Sequence, residues 1–227
     1  MGKTVVITGA SRGIGYALVR AFLDQDHHVI AMSRNTEPLH ELKGDNCEVY
    51  PVDITQEKTL VEVAQSIKAR LNHVDVLIHN AGLLINKPFE ALTSEEIEEV
   101  YKVNVFGPMA LTRVLLPLMD STGHVVSISS MGGVNGTAKF PGLSAYSSSK
   151  GALTIWSEVM AEEYKDRGPK FNTLAIGAVQ TEMLAEAFPG YQAPLSPKQM
   201  AAYILNFALE GHLIYNGKTL PASQSTP

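Results

Sequence analysis

Residues Ile7–Phe22, ITGASRGIGYALVRAF, pass from an apolar run through a glycine-rich turn into a helical pattern. Gly9, Gly13 and Gly15 fall between the first expected strand and the first expected helix. Glycines in such a turn let backbone N–H groups approach a phosphate, and the helix N-terminus adds partial positive charge at the same place. The spacing is G-x-x-x-G-x-G rather than G-x-G-x-x-G. Taken alone, the segment also fits a turn and cap without a ligand. Its place in the chain favours the ligand, because the first βα turn of an α/β chain is where a nucleotide binds.

Outward from this turn, apolar runs alternate with helical patterns. Strands are expected at Lys3–Thr8, His28–Ser33, Glu48–Pro51, Val74–His79, His124–Ser130, Phe171–Ala175 and Lys218–Pro221. Helices are expected near Gly13–Asp24, Glu57–Leu71, Ser94–Met119, Ala145–Asp166 and Pro197–Leu209, with a short one at Thr36–Lys43. Several strands are continuous hydrophobic runs, as when helices cover both faces of a parallel sheet. The pattern predicts an α/β chain: a single-domain, doubly wound Rossmann fold whose mostly parallel sheet has about seven strands. One dinucleotide-binding catalytic domain over residues 1–227 is expected, with 222–227 as a flexible tail.

The 45% hydrophobic and 18% charged content is globular rather than disordered. A net charge of -5 without a basic block argues against nucleic acid or an anionic membrane as partner. No apolar run reaches membrane-spanning length, and KTVVITG lacks the layout of a signal peptide, so a cytoplasmic protein is expected. Cys47 is the sole cysteine, which excludes an internal disulfide. It reads as a small buried hydrophobe, and His27 and His28 lack further ligands, so no metal is expected.

The end of the second strand selects the nucleotide. A chain that binds NAD usually keeps an acid there for the ribose 2′-OH. Here VIAMSRN offers Ser33, small and neutral, and Arg34, cationic. Arg12, inside the glycine turn, can reach the same region. Two guanidiniums grip a 2′-phosphate through charge-assisted bonds, so NADP(H) is the expected cofactor. The alternative is that Arg34 is a solvated loop residue.

With TGASRGIG, HNAG, VNVFG and YSSSK in this order, the chain resembles the short-chain dehydrogenase/reductase family from Lys3 to about Leu220. The resemblance implies cofactor contacts from Gly9, Ser11, Arg12, Gly13, Ile14 and Gly15. It adds Ser33 and Arg34, Asp53 and Ile54 beside the adenine, and the small strand-end residues Asn80, Ala81 and Gly82. Asp53 also suits a cap for the helix that follows.

It further assigns Tyr146 as the general acid/base. Lys150, one helical turn on and on the same face, would tune that phenol and hold the nicotinamide ribose. A free tyrosine titrates near ~10, so a neighbouring ammonium and a positive nicotinamide are expected to lower it. A serine holds the substrate oxygen in this family. Ser130 is assigned because it ends its strand, with Ser129 as fallback and Ser127 left to the core. Asn104, within a long helix, would distort that helix and hold a water leading to the lysine.

Three departures from the family pattern stand out. Ser130 lies 16 residues before Tyr146, farther than usual, and the surplus falls in MGGVNGTAKFPGLS. Ile176 replaces a proline, while Gly177, Val179 and Thr181 remain to meet the carboxamide and phosphates. The lid segment EMLAEAFPGYQAPLS is short, and the C-terminal end is abbreviated. Leu84, Phe140 and Met183 would wall the pocket, with Lys139 a charge at its mouth. Trp156 and Met160 read as packing residues, and Thr93 or Ser94 as a helix cap.

The expected activity is hydride transfer between NADP(H) and a small-molecule carbonyl or alcohol. The alternatives are a 3-oxoacyl-thioester reductase and a non-catalytic NADP-sensing protein. The resemblance also implies a homodimer or homotetramer.

Overall fold

Val5 and Ile7 face one side of β1 (Thr4–Thr8) and Val6 the other, and all three are fully buried. A strand apolar on both faces needs cover on both, which is why its sequence does not alternate. The computed structural model describes residues 2–71 and 73–224. Its other strands are β2 (His28–Ser33), β3 (Cys47–Pro51), β4 (Val76–His79), β5 (His124–Ser130), β6 (Lys170–Ile176) and β7 (Lys218–Ala222). They form one sheet in the order β3-β2-β1-β4-β5-β6-β7, parallel throughout. This is the doubly wound Rossmann architecture read from the sequence. The order reverses between β1 and β4, opening a crevice at the carboxyl ends of the strands.

On one face, α1 (Gly13–Leu23) and α7 (Pro197–Glu210) bury Leu18, Phe22, Ile204 and Leu205 against Val5 and Ile7. On the other, α2 (Glu57–Arg70), α4 (Gly107–Leu115) and the sheet bury Leu60, Ile67, Leu111 and Phe171 around Val6. Each such side chain contributes roughly 1.5–3 kcal/mol, and truncating Phe171 to alanine would cost about 3–5 kcal/mol.

The helix expected over Ser94–Met119 is broken. It comprises α3 (Ser94–Tyr101), a π-helical turn at Lys102–Phe106, α4 and a 3₁₀ turn at Leu116–Leu118. Pro108 gives the reason: it has no N–H to donate, and its ring would clash with the carbonyl four residues back, that of Asn104. The turn widens there, and the Gly107 amide bonds Lys102 O, five residues back. Thr93 is the cap of α3, in a reciprocal box with Glu96.

The expected helix at Ala145–Asp166 is α5 (Ser144–Glu163), and the short one at Thr36–Lys43 is a 3₁₀ helix over Glu37–Leu42. A further helix, α6 (Glu182–Ala187), lies in the segment read as a lid. β7 reaches Ala222, the first residue of the expected tail, of which 225–227 lie outside the described residues. Among the described residues no helix is long and apolar enough to cross a membrane.

Candidate active site

Gly9 and Gly13 adopt φ of +64° and +54°, the left-handed region that glycine tolerates. A Cβ on Gly15 would stand 2.1 Å from Gly9 O and 2.6 Å from Asn80 Nδ2, so only glycine lets α1 approach this closely. Asn80 Nδ2 donates to Thr8 O at 2.9 Å and Gly9 O at 3.1 Å. Thr8 Oγ1 in turn accepts from the amides of Asn80 and Ala81. These bonds brace the crevice between β1 and β4. Arg12, at the N-cap of α1, makes no capping bond with its side chain, and the first turn of α1 carries no acid. Uncapped backbone N–H groups of this kind, at a helix N-terminus, suit an anion.

At the end of β2, Ser33 Oγ donates to Ser11 Oγ at 2.8 Å, which joins the strand end to the glycine turn. Arg34 is exposed, and Arg12 lies 3.5 Å from Glu186 in a solvent-facing pair. Asp53 accepts from the amide and hydroxyl of Thr55 at 2.9 and 2.8 Å, a turn leading into α2. The helix N-cap itself is Gln56.

Ser130 ends β5 half-buried and accepts from Gly132 N at 3.3 Å. Ser129 points the other way, donating to Lys150 O at 3.0 Å beneath α5. Ser127 is fully buried within β5. The alternation along the strand thus leaves Ser130 facing the site. Lys150 is 3% exposed, its Nζ donates to Ile128 O at 2.8 Å, and it lies 5.8 Å from the centroid of the Tyr146 ring. Burial lowers the ammonium to about 8. Burial also pushes the Tyr146 phenol up to about 12, opposed by its bond with Ser130. Within the chain's own residues the phenol is thus raised rather than lowered, because desolvation outweighs the bond with Ser130.

Asn104, on the π-helical turn, is fully buried. Its Oδ1 accepts from Leu83 N at 2.8 Å, and its Nδ2 donates to Leu83 O and Ser149 Oγ, each at 2.9 Å. Ser149 Oγ passes the connection to Tyr146 O at 2.7 Å. The sequence pointed to Asn104 but not to Leu83 or Ser149. Backbone partners leave no residue-type signal, and Ser149 was hidden in a run of serines.

A cavity of about 720 Å³ gathers these groups at the carboxyl ends of the strands. Gly9, Ser11, Arg12, Gly13, Ile14 and Gly15 line it from the first turn, and Ser33, Arg34, Asp53 and Ile54 from the ends of β2 and β3. Asn80, Ala81 and Gly82 follow β4; Ser130, Tyr146 and Lys150 form the far side. Gly177, Val179 and Thr181 close it after β6. Thr181 Oγ1 also caps α6, accepting from Leu184 N at 3.2 Å. Asn104 lies behind the wall. Leu84, Phe140 and Met183 are in the lining, but Lys139 is not: its ammonium is tied to Val134 O and Thr137 within its own loop. Among the described residues no cluster of three metal-binding side chains occurs.

Residues 3–192 match the family model described as short chain dehydrogenase. The chain belongs to the short-chain dehydrogenase family. It is 32% identical over 210 residues to a ketoacyl reductase, HetN, of a Nostoc species, covering 86% of this chain and 72% of the relative. It is 31% identical to a fatty acyl-CoA reductase of Acinetobacter baylyi, covering 90% and 72%. A short-chain dehydrogenase structure from Streptomyces avermitilis superposes with a TM-score of 0.83 at 33% identity, covering 99% of this chain and 89% of that one. The structure of ElxO with NADP bound gives 0.85 at 26% identity, covering 98% of each chain. This family member is an oxidoreductase acting on an alcohol/carbonyl pair with a nicotinamide cofactor.

The residues fit such a cofactor. Only glycine is accommodated at Gly15, which keeps the phosphate end open to backbone. A Cβ on Gly82 would lie 3.4 Å from Lys150 Nζ and 3.5 Å from Asn104 Oδ1, in ordinary contact, so Gly82 stands directly against the ammonium and the asparagine.

Proposed function

We propose that the protein is an NADP(H)-dependent reductase of an aldehyde or ketone. The observation that carries this reading is one cavity with Ser130, Tyr146 and Lys150 at one side and Arg12 and Arg34 at the other. When bound, the dinucleotide supplies the hydride that reduces the carbonyl carbon.

The chain's residues do the rest. Ser130 Oγ donates to the substrate oxygen as negative charge develops on it. Tyr146, a neutral phenol at pH 7, gives its proton to that oxygen, whose conjugate acid is far weaker than phenol. Lys150, mostly an ammonium below about pH 8, stabilises the phenolate left behind. Asn104 holds the loop after β4, with Gly82 against Lys150. Arg12 and Arg34 grip the 2′-phosphate, with Ser11 and Ser33 beside it, and no acid stands at the end of β2 to repel it.

Rates with NADPH and NADH in parallel across a carbonyl panel test this. An NADH preference would refute the assignment of Arg12 and Arg34. NADPH binding without reduction of any carbonyl would leave a sensor instead of an enzyme. A 3-oxoacyl thioester is the second reading, favoured by the names of the two acyl-linked relatives. The exposed Ile155 and Val159 of α5, with Phe106 nearby in the chain fold, support pairing of copies through helices. Sedimentation showing only monomer would overturn that.

A further inference from the structure

We infer, on the basis of the reductase reading above, that the substrate is an uncharged ketone or aldehyde held by an alkyl or aryl group. Its binding wall is α6 together with the loops that follow β4 and β5.

α6 and the residue after it present two different faces. Met183, Leu184, Ala187 and Phe188 are partly buried, at i, i+1, i+4 and i+5, whereas Glu182, Ala185 and Glu186 are exposed. The buried stripe supplies Met183, Leu184 and Phe188 to the cavity. Leu84 lines it from the loop after β4, and Phe140 and Leu143 from the loop after β5.

The charges in the lining lie elsewhere, except that of Glu182, which opens α6 on the side of the glycine turn. Arg12 belongs to the glycine turn, and Glu182 sits beside it, its Oε2 3.6 Å from where a Gly13 Cβ would be. Arg34 and Asp53 follow β2 and β3. Lys102 lies beside Ile54 and Thr55, and Glu99, three residues earlier, shares its helix face. Lys150 is bound to Ile128 O. Two lysines of the surrounding loops are also engaged: Lys139 with its own loop, and Lys87 with Glu96. On the α6 side the polar lining groups are the Thr181 hydroxyl, which caps the helix, the Glu182 carboxylate beside the glycine turn, and the phenol of Tyr191.

Three segments are latched together over this wall. Asn86 Nδ2 donates to Ala187 O at 2.8 Å, at the end of α6, and Lys87 N donates to Gly142 O at 3.0 Å. A Cβ on Gly142 would stand 2.1 Å from Asn86 Oδ1, so the contact needs glycine there. A carboxylate or several hydroxyls placed inside would lose water without gaining partners, whereas an alkyl chain gains by burial.

NADPH oxidation by the purified full chain, with methyl ketones from butanone to octanone, tests this. Pyruvate and dihydroxyacetone serve as the charged and hydroxylated counterparts. kcat/KM is expected to rise about three- to fourfold per added methylene, with both counterparts at least roughly a hundredfold below octanone. Met183→Gln should lower kcat/KM for octanone by about tenfold and leave the NADPH Kd unchanged. A flat ketone series, or either counterpart matching octanone, overturns the substrate class while the reductase reading stands. No turnover in either arm, with NADPH bound, overturns the reductase reading and the substrate class with it.

Discussion

Asn104 and Leu83 bond each other twice, side chain to backbone, with Oδ1 taking the Leu83 amide and Nδ2 giving to its carbonyl. An amide side chain thereby does for one residue what a neighbouring strand would do. It fastens the loop after β4 to the π-helical turn, next to Gly82, which lies against the Lys150 ammonium.

Replacing Asn104 by leucine would leave both backbone groups of Leu83 without their partner and would cost Ser149 Oγ the bond it accepts, leaving it only Tyr146 O. The expected loss is about 2–4 kcal/mol of stability by denaturant unfolding, together with most of the activity. Asn104→Asp, which can accept but not donate, should fall between the two. Equal stability of all three proteins would remove the clamp.

Tyr146→Phe keeps the ring and deletes the proton. Carbonyl reduction should drop by about 10²–10⁴-fold while NADPH binds within about threefold of the parent. Retained turnover would eliminate the phenol as donor.

Arg34→Glu should raise the NADPH KM by roughly 10–100-fold, since a charge-assisted bond is worth about 1.5–3 kcal/mol and the new acid repels the phosphate. NADH should be affected little or improved. Parallel loss with both nucleotides would instead point to damage in the turn at Ser11 and Ser33.

Lys150 links the site to stability. Its ammonium falls from 10.5 to about 8 in the folded chain because it is buried. Between those values the unfolded chain holds more protons, so stability rises with pH through about 8 to 10.5. Below that window the burial cost is constant, roughly 3 kcal/mol. Lys150→Met abolishes the titration. Measured without nucleotide, the variant's stability relative to the parent should therefore fall by about this amount from pH 8 to 10.5. A flat difference would mean that the lysine is not desolvated.

Much of this was legible from residue types. β1, β2 and β5 were recognisable because buried parallel strands read as unbroken apolar runs, and the glycine turn because few other sequences permit it. Ser130 was preferred to Ser129 because it ends β5; that Ser129 turns beneath α5 to Lys150 O was visible only in the fold. A distortion at Asn104 was expected, and the π-helical turn lies there; the full break into separate helices was not, although Pro108 inside an apparent helix was its signal. α6 was also missed: six residues are too few for a periodic pattern to stand out. Lys139 was misplaced because sequence does not say that a flexible ammonium will fold back on nearby carbonyls. The burial that raises the Tyr146 phenol in the chain alone was not legible, because the cost of burial depends on three-dimensional packing.

The two outer strands, β3 and β7, carry a further consequence. Val52, just past β3, donates to Ser33 O, and Ala222 of β7 accepts from Gly177 N, so both face inward. In a parallel ladder the backbone groups of successive residues turn to opposite sides, which directs Pro51 and Pro221 outward. Each free rim of the sheet therefore has a missing donor, which blunts recruitment of another chain's strand. The sheet is closed to growth at both ends, and self-association by strand addition is disfavoured from either side.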